Sequence, residues 1–288
     1  MKISVICPIY NGEDYIKSLY NKIIEQRNVS ILEVKFILTE SDDNSENILK
    51  TLNLTYEKIS RKEFSHSLVR EGAALSAIGD ILVFITQDIK ICDEYWLYEL
   101  VKSIQDGECD AAFSRQIAYE NHTIEKYTRE TNYPVESRIV GKDDIEKLGL
   151  MTFFFSDASS AILKRVFIKL NGYDSKNLPT NEDMYIAYKL IINGYKIKYA
   201  AESKVIHSHE LSFKDTFNRY KDIGKFFKTN SYFNKFDAND RGLDVLFYII
   251  KRIFEEREVY LLPKIFLNFF ARFLGMKIGK IKKIREEK

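Results

Sequence analysis

Three side chains from two distant parts of the sequence have the chemistry of a divalent-cation site. Asp88 follows the apolar run 82–85 after only two uncharged polar residues, and His207 and His209 are two positions apart. On a strand, residues two apart point to the same face, so both imidazoles can reach one point. Carboxylates suit Mg²⁺ and Mn²⁺, and Mn²⁺ also accepts imidazole. The pattern predicts a cation held by Asp88 and completed by a histidine. The alternative is that the two histidines merely end a strand.

Two neighbouring acids, Glu182 and Asp183, begin a predicted helix directly after Asn181. Group transfer to a hydroxyl requires a carboxylate that accepts the hydroxyl proton. Neighbours on a helix diverge by about 100°, so one acid is expected to face a cleft while the other orients it or contacts the donor. The first-turn position predicts that the helix dipole keeps such a carboxylate ionised. Simple capping of the helix, with Asn181 as the cap, is the alternative explanation.

These residues need a framework, and the order of the apolar segments predicts one. Strand-like runs near residues 3–6, 33–39, 54–60 and 80–88 alternate with helix-like segments. This alternation is typical of a parallel sheet with helices on both faces, in which ligands bind beyond the carboxyl ends of the strands. Three polar clusters fall at those ends: Pro8 to Asn11, Glu40 to Ser45, and Gln87 with Asp88.

The composition limits the class of protein. The chain has 288 residues, 45% of them hydrophobic, which is enough for one large domain or a domain with an appendage. A net charge of +2 gives no reason to expect nucleic acid as a partner. Cys7, Cys92 and Cys109 have no paired spacing. They predict neither disulfides nor a thiolate metal site, and a cytoplasmic location fits them.

The C-terminal part of the chain is predicted to be helical from about residue 213, and one stretch of it is amphipathic. Its apolar face is formed by Leu262, Ile265, Phe266, Phe269, Phe270 and Phe273, and basic residues follow among isoleucines. This pattern is typical of a helix at a membrane interface. Packing on the catalytic domain or on a second copy of the chain is the alternative. No uninterrupted run reaches the roughly 20 apolar residues that a spanning helix needs.

Several segments together resemble glycosyltransferase family 2, whose members use nucleotide-sugars and have the GT-A fold. They are CPIYNGEDYI, the Ser-x-Asp-x-Ser cluster 41–45, the acid after the fourth strand and the Asn-Glu-Asp helix start. Longer segments resemble its bacterial rhamnosyltransferase branch: EFSHSLVREGAALSAIGDILVFITQD, TFFFSDASSAILKR, NEDMYIAYKLIINGYKIKYAAESKVIHSH and RYKDIGKFF. The resemblance covers about residues 1–230. Two departures are Gln87-Asp88 in place of Asp-x-Asp, and Ser67-Leu68 in place of two glycines after His66.

The resemblance implies an α/β protein with the GT-A fold: a single Rossmann-like mixed sheet flanked by helices, with a helical C-terminal extension. It implies a catalytic domain over residues 1–212, with a nucleotide-binding half at about 1–110 and an acceptor half at about 111–212, and a helical region over 213–288. The implied activity is inverting, metal-dependent transfer of L-rhamnose from dTDP-β-L-rhamnose to a growing surface polysaccharide or glycolipid, with Mg²⁺ or Mn²⁺. Alternatives are another UDP- or dTDP-sugar donor, or a catalytically silent sugar-binding subunit of a polysaccharide assembly complex.

The resemblance also assigns roles to single residues. Asp183 is the expected general base with Glu182 beside it, and Asp88 is the expected metal ligand with His207 or His209. The residues expected to bind the donor nucleotide are Pro8, Tyr10, Asn11, Glu40, Asp43, His66, Arg70 and Gln87. For Arg70, a surface salt bridge is the alternative to a diphosphate contact.

Asp157 is expected in the acceptor or sugar part of the cleft, and its alternative role is the N-cap of a helix over residues 159–169. The expected partners are a nucleotide-sugar donor and a saccharide or lipid-linked saccharide acceptor, without nucleic acid. The C-terminal helices are expected either to contact the inner face of the cell membrane peripherally or to form a homodimer.

Overall fold

In the computed structural model, residues 1–121, 123–236 and 241–281 are described, and their strands form one sheet. The strands are β1 Lys2–Ile9, β2 Ser30–Thr39, β3 Tyr56–Ile59, β4 Ile81–Ile85, β5 Lys90–Ile91, β6 Ala111–Ile117, β7 Arg138–Val140, β8 Ser159–Leu163 and β9 Ile197–Ile206. The helices are α1 Ile16–Ile24, α2 Ser45–Thr51, α3 His66–Ser76, α4 Trp96–Gln105, α5 Thr123–Asn132, α6 Ile145–Leu148, α7 Lys164–Lys169, α8 Glu182–Ile192, α9 Phe213–Thr229, α10 Arg241–Glu255 and α11 Leu262–Ile281.

The sheet has the strand order β3-β2-β1-β4-β8-β6-β9-β5, and β7 pairs with β9. Strands β3, β2, β1 and β4 are parallel, as the alternation of strands and helices predicts. All five residues of β4 are buried, because a parallel strand covered on both faces needs apolar side chains on both. The predicted mixed sheet flanked by helices is confirmed.

Strand β8 decides between the two roles considered for Asp157. The alternative role required a helix over residues 159–169, but the first five form β8, antiparallel to both β4 and β6, and only α7 is helical. The serines at the start of β8 are hydrogen-bonded inside the core: the Trp96 indole N–H donates to Ser159 Oγ at 3.0 Å. A buried strand can satisfy such hydroxyls through its neighbours, so the alternative role of Asp157 as a helix N-cap is wrong.

The direction of β8 decides which ends of the strands meet. Two antiparallel pairings, β4 with β8 and β8 with β6, restore the original direction, so β6 and β9 run parallel to β4. Their carboxyl ends therefore lie at the same edge of the sheet as those of β1 and β4. The same edge receives the start of β8, where Ser159 pairs with Ile85. Segments as distant in sequence as 86–88, 156–158 and 207–209 are thereby brought together.

The C-terminal helices pack against the rest of the protein. Phe226 of α9 and Phe233 after it belong to the main core. A second, smaller core joins α5, α10 and α11 through Ile124, Tyr127, Val245, Ile249, Ile253, Leu261 and Ile265. The helical prediction from residue 213 is confirmed over 213–229, 241–255 and 262–281, and residues 282–288 lie outside the described part of the chain. A domain boundary at 212 stays a prediction.

Two glycines of α11 allow it to lie close to α9. A methyl group on Gly275 would collide with the backbone oxygen of Phe217, and one on Gly279 with that of Lys221. Backbone atoms cannot move aside as flexible side chains do, so larger residues would force the helices apart. Gly224 of α9 meets α11 in the same way.

The segment Val259–Ile281 is long and apolar enough to cross a membrane, by its length and a mean hydropathy of 1.3. The sequence expectation concerned uninterrupted apolar runs, and charged residues such as Lys264 and Arg272 interrupt this one. Only 22% of its most apolar window is buried in the protein. Phe266, Phe270 and Phe273 are 57%, 54% and 58% exposed, whereas Ile265 on the packed side of α11 is buried. The helix α11 therefore presents an open apolar face.

Candidate active site

Asp88, His207 and His209 converge on one point at the edge where the strands end. The Oδ2 atom of Asp88 lies 3.0 Å from Nε2 of His209 and 3.6 Å from Nε2 of His207. The two Nε2 atoms are 3.2 Å apart. Burial opposes ionisation of Asp88, but hydrogen bonds from the two imidazoles outweigh it and hold the pKa of this carboxyl well below its usual range. The predicted shared face of His207 and His209 is present.

These separations fit a hard divalent cation. Adjacent ligand atoms that lie about 2.1 Å from a six-coordinate ion are about 3.0 Å apart. The three observed separations, 3.0, 3.2 and 3.6 Å, are near that value. One carboxylate and two imidazoles supply three ligands, so an ion that prefers six would still take oxygens from a diphosphate and from water.

Gln116 fixes the orientation of His207. Its Oε1 atom lies 3.0 Å from Nδ1 of His207, and its Nε2 atom donates to Oγ of Ser156 at 2.7 Å. An amide oxygen can only accept, so Nδ1 must carry the proton. When the ring is neutral and accepts no Nε2 proton, its lone pair is therefore on Nε2, the atom that faces Asp88. This is the tautomer that a metal ligand requires.

Arg70 and Glu182 form a buried ion pair beside this cluster. Arg70 Nη1 lies 3.2 Å from Glu182 Oε1, and the side chains are only 3% and 11% exposed. Burial opposes the charge on Arg70, yet the carboxylates around it, Glu182 first, raise the pKa of the guanidinium. The surface salt bridge considered for Arg70 is thus replaced by a buried one. Glu182 is positioned to hold Arg70 and the start of α8.

Asp183 is half-buried next to this pair. Its Oδ1 atom accepts a hydrogen bond of 2.7 Å from the Met184 N–H. Burial, and then the carboxylates of Glu182 and Asp157, raise the pKa of Asp183 well above its usual range. The helix dipole was expected to favour the ionised form of Asp183, but desolvation and two negative neighbours outweigh its partial charge and shift the pKa upward. A raised pKa makes the ionised carboxylate a stronger base.

Helix capping does not account for the start of α8. Asn181 has a left-handed backbone with φ of 59°, and its side chain forms no cap hydrogen bond. Left-handed conformations cost energy for residues other than glycine, although asparagine tolerates them best. The turn at Asn181 places Glu182 and Asp183 at the cleft, and the Met184 N–H of the first turn is satisfied by Asp183 rather than by a cap side chain.

Asp157 is 2% exposed and is held from both sides. Its Oδ1 atom accepts from Ser160 Oγ and its Oδ2 atom from the Tyr173 hydroxyl, both at 2.7 Å. Burial raises the pKa of Asp157. With both oxygens engaged, its carboxylate is positioned as part of the cleft floor next to Arg70 and Asp183.

The predicted nucleotide-binding residues lie at the ends of β1, β2 and β4. The Gln87 side chain makes two hydrogen bonds of 2.8 Å to the backbone N–H and C=O of Tyr10. Asn11 has φ of 46°, and its Oδ1 accepts from Asp42 N–H. Asp43 Oδ2 accepts from the Glu13 N–H at 2.9 Å. Gln87, Asn11 and Asp43 thus tie the loops after β1 and β2 together and to the segment that carries Asp88.

Tyr10 remains open to solvent at this end. It is 44% exposed, and the Arg61 guanidinium lies 5.5 Å from its ring centre. Arg61 is itself bound to the backbone oxygen of Glu40 by its Nε, at 3.0 Å. Pro8 is half-buried in β1 opposite Ile37. The loops after β1 and β2 thus form an open surface with the exposed ring of Tyr10, which we call the open shelf.

Two clefts meet at the centre of the site. One, of about 430 Å³, is lined by His66, Arg70, Asp157, Glu182, Asp183 and His207 among others. The other, of about 460 Å³, lies between α5, α9 and α11 and also contacts Asp183, His207 and His209. Tyr10, Asn11, Glu40 and Asp43 line neither. Asp183 and His207 therefore stand at the junction of two cavities.

Known proteins are similar to this chain in sequence and in fold. The sequence pattern of the family described as Glycosyl transferase family 2 matches residues 4–170. The O-antigen chain rhamnosyltransferase RfbN of Salmonella typhimurium (strain LT2) is 31% identical, over 97% of this chain and 90% of its own. The O-antigen chain rhamnosyltransferase WbaN of Salmonella anatum is 30% identical, over 96% and 89%. The chain belongs to glycosyltransferase family 2.

A solved structure agrees with the fold. The mannosyltransferase PcManGT of Pyrobaculum calidifontis, in complex with GDP-Man and Mn²⁺, superimposes with a TM-score of 0.66 and 13% identity, over 99% of this chain and 88% of its own. The predicted membership, the GT-A fold and the assignment as a glycosyltransferase enzyme are confirmed.

Sequence reasoning missed several residues of this family 2 glycosyltransferase site. Gln116 and Ser156 orient His207, but they lie in segments whose adjacency depends on the position of β8. Arg219 of α9 lines both clefts. A signal for it existed, because it begins the segment RYKDIGKFF that resembles the rhamnosyltransferase branch.

Proposed function

We propose that this glycosyltransferase transfers L-rhamnose, with inversion, from dTDP-β-L-rhamnose to a growing surface polysaccharide or glycolipid, in a reaction that depends on Mg²⁺ or Mn²⁺. The observation that carries the proposal is the position of Asp183 beside the cluster of Asp88, His207 and His209, where two clefts meet. The donor assignment is supported by two relatives of 31% and 30% identity that are named O-antigen chain rhamnosyltransferases.

Asp88, His207 and His209 would hold the cation. When bound, the ion would neutralise the diphosphate that leaves the sugar, a form of Lewis-acid catalysis. The protein prepares for it through Gln116, which keeps the lone pair of His207 on Nε2. The strongly lowered pKa of Asp88 keeps that carboxylate ionised across the physiological range.

Asp183 would act as the general base. Inversion in a single displacement requires the acceptor oxygen to attack the anomeric carbon opposite the leaving diphosphate, while a carboxylate takes the hydroxyl proton. A new bond forms between the acceptor oxygen and the anomeric carbon, and the bond from that carbon to the diphosphate oxygen breaks. The position of Asp183 at the junction of the clefts supports this role. Glu182 would orient it through the Arg70 pair.

The nucleotide would lie on the open shelf formed by the ends of β1 and β2. The exposed Tyr10 ring offers a stacking face for the base, with Arg61 beside it. Pro8, Asn11, Glu40, Asp43 and Gln87 would shape this shelf, mainly by fixing loop backbone. His66 and Arg70 would then lie toward the diphosphate and the sugar, because they line the cleft that contains Asp157 and Asp183.

The enzyme would work in the cytoplasm at the inner face of the membrane. The exposed phenylalanines of α11 support contact with lipid, because an apolar helix face with basic residues nearby is suited to the interface. A lipid-linked acceptor would be reached from that position. A homodimer through the same face is the alternative.

A donor screen tests the proposal. Purified protein would be incubated with dTDP-rhamnose, UDP-glucose, UDP-N-acetylglucosamine or GDP-mannose, each with Mn²⁺, Mg²⁺ or EDTA, and the released nucleoside diphosphate measured. We expect release from dTDP-rhamnose to exceed that from the others and to stop in EDTA. Preference for another sugar would overturn the donor assignment, and full activity in EDTA would overturn the metal dependence.

A further inference from the structure

We infer that the cavity between α5, α9 and α11 is a binding site for the saccharide of the acceptor, built in part by the C-terminal helices. The inference rests on the proposed function, and it assigns a substrate site to C-terminal helices that the sequence linked to membrane contact, to packing on the catalytic domain or to a dimer. The cavity has a volume of about 460 Å³ and opens onto Asp183. That volume lies in the range of about 300–1,000 Å³ for small-molecule sites.

The cavity wall contains buried polar atoms that lack hydrogen-bond partners. They are Thr216 Oγ1, Arg129 Nε, Arg272 Nε and Asn268 Oδ1. In the described part of the chain seven buried side-chain atoms lack partners, and four of them belong to residues that line this one cavity. Unsatisfied buried polar groups are costly, so their concentration here indicates a wall whose side chains complete their hydrogen bonds by adjusting around a ligand.

The mixture of donors and acceptors favours a hydroxylated ligand over an anion. The two arginine Nε–H groups can only donate, Asn268 Oδ1 can only accept, and Thr216 Oγ1 can do both. A phosphate offers acceptor oxygens and would leave Asn268 Oδ1 unpaired. Sugar hydroxyls can both donate and accept, so a saccharide matches a wall that carries both kinds of group.

The pairing of two wall arginines with one carboxylate favours the same ligand. The Glu125 carboxylate lies 3.6 Å from Arg129 Nη2 and 3.7 Å from Arg272 Nη2. The two cations therefore share a carboxylate that reduces their attraction for an anion. Both separations exceed an ordinary hydrogen bond, which leaves room for hydroxyl groups to bridge them.

Aromatic rings lie next to the guanidinium groups of both arginines. The Arg272 guanidinium lies 4.9 Å from the ring centre of Phe269 and 5.4 Å from that of Tyr220, and Arg129 lies 5.5 Å from that of Tyr133. Such stacking fixes the direction of the N–H groups before a ligand arrives. A preformed array of this kind binds with less loss of side-chain freedom.

The test uses saturation-transfer NMR on the full chain with methyl glycosides and disaccharides of mannose, galactose, glucose and rhamnose. Thr216→Val and Asn268→Leu remove one unpartnered polar atom each and keep the side-chain size. Because those atoms have no partner in the protein, melting temperature should stay equal or rise. We expect at least one saccharide to bind wild type, and each variant to weaken that binding about 3- to 10-fold. Thr229→Val, at the exposed end of α9, is the matched control and should bind as wild type does.

Binding of dTDP and UDP, measured in the same samples, separates the two proposals. Loss of saccharide binding with unchanged nucleotide binding in both variants supports the inference. If no saccharide binds wild type, if the variants bind as tightly as wild type, or if pyrophosphate displaces the saccharide, the inference is wrong. If the nucleotides do not bind wild type, the proposed function fails while the saccharide result still decides this site.

Discussion

Arg70 and Glu182 join α3 to α8 by an ion pair of 3.2 Å from which solvent is nearly excluded. Removing one partner of a buried pair leaves an uncompensated charge, which typically costs about 3–5 kcal/mol. We expect Glu182→Gln to lower the free energy of unfolding by an amount near the lower end of that range, because glutamine keeps one hydrogen-bond acceptor. Urea unfolding would measure it.

Glu25→Gln is the matched control for this pair. Glu25 pairs with Lys22 at 2.9 Å, but both side chains are more than half exposed. Exposed pairs contribute little, so this variant should stay within about 1 kcal/mol of wild type. A Glu182→Gln protein as stable as the control would show that Arg70 does not depend on its partner.

Asp183→Asn should lose activity and gain stability. Without the carboxylate, transfer should fall by about 10²-fold or more. The folded state raises the pKa of Asp183, so at neutral pH its ionisation favours unfolding. Removing the charge should therefore raise the melting temperature at pH 7. Scanning calorimetry and nucleoside diphosphate release would measure the two effects.

The pH dependence of this gain checks its cause. Below about pH 4, the usual pKa of aspartic acid, both folded and unfolded states hold the proton and no penalty exists. As the pH rises, the unfolded state releases its proton first, so wild type loses stability until its folded pKa is passed. The advantage of Asp183→Asn should thus vanish near pH 4. An advantage that is equally large there would point to a packing effect.

Local patterns predicted much of this site, and tertiary neighbours explain what they missed. Asp88, His207 and His209 could be found because strand ends and a spacing of two are visible in the sequence. The raised pKa of Asp183 could not be predicted, because it depends partly on Asp157, which lies 26 positions earlier in the sequence. The pairing of β8 with β4 brings Asp157 to the site. A helix over residues 159–169 remained an alternative because buried serine hydroxyls suit a strand only when neighbouring elements supply their partners, and the sequence does not show those partners.

Gln116→Leu should weaken metal binding without removing a ligand. Gln116 sets the tautomer of His207 through the Nδ1 contact of 3.0 Å. Loss of such an outer partner typically costs about 10–100-fold in metal affinity. Isothermal titration with Mn²⁺ would measure it, with Gln105→Leu as a control because Gln105 lines neither cleft. Equal affinities for Mn²⁺ would remove Gln116 from the site, and no binding by wild type would remove the site itself.

Gly275→Ala should destabilise the contact between α9 and α11. The added methyl group would meet the Phe217 backbone oxygen, and overpacking of this kind costs about 1–3 kcal/mol. Gly72→Ala in α3 is the control, because nothing lies within 4 Å of its added methyl group. Alanine is the better helix former there and should stabilise by roughly 0.5–1 kcal/mol. A Gly275→Ala protein that gains stability to the same extent would contradict the close packing seen here.

Replacing Phe266, Phe270 and Phe273 by serine should release the enzyme from membranes. Their rings are more than half exposed, so the fold does not depend on them. Burying such a side chain in an apolar environment contributes about 1.5–3 kcal/mol, and three losses should lower binding by more than about tenfold. Cosedimentation with liposomes of phosphatidylglycerol and phosphatidylcholine would measure this. The melting temperature should remain within a few degrees of wild type, because exposed positions contribute little to folding.

The double variant Leu75→Ser, Ile78→Ser separates a specific face from general hydrophobicity. Both residues are exposed, at 58% and 65%, but they lie at the end of α3 and just beyond it. This variant should bind liposomes as wild type does. If the triple phenylalanine variant also stays bound, α11 does not mediate contact with lipid. If instead wild type is a dimer in solution, does not bind liposomes, and becomes monomeric in the triple variant, the open face of α11 is an interface between two copies of the chain.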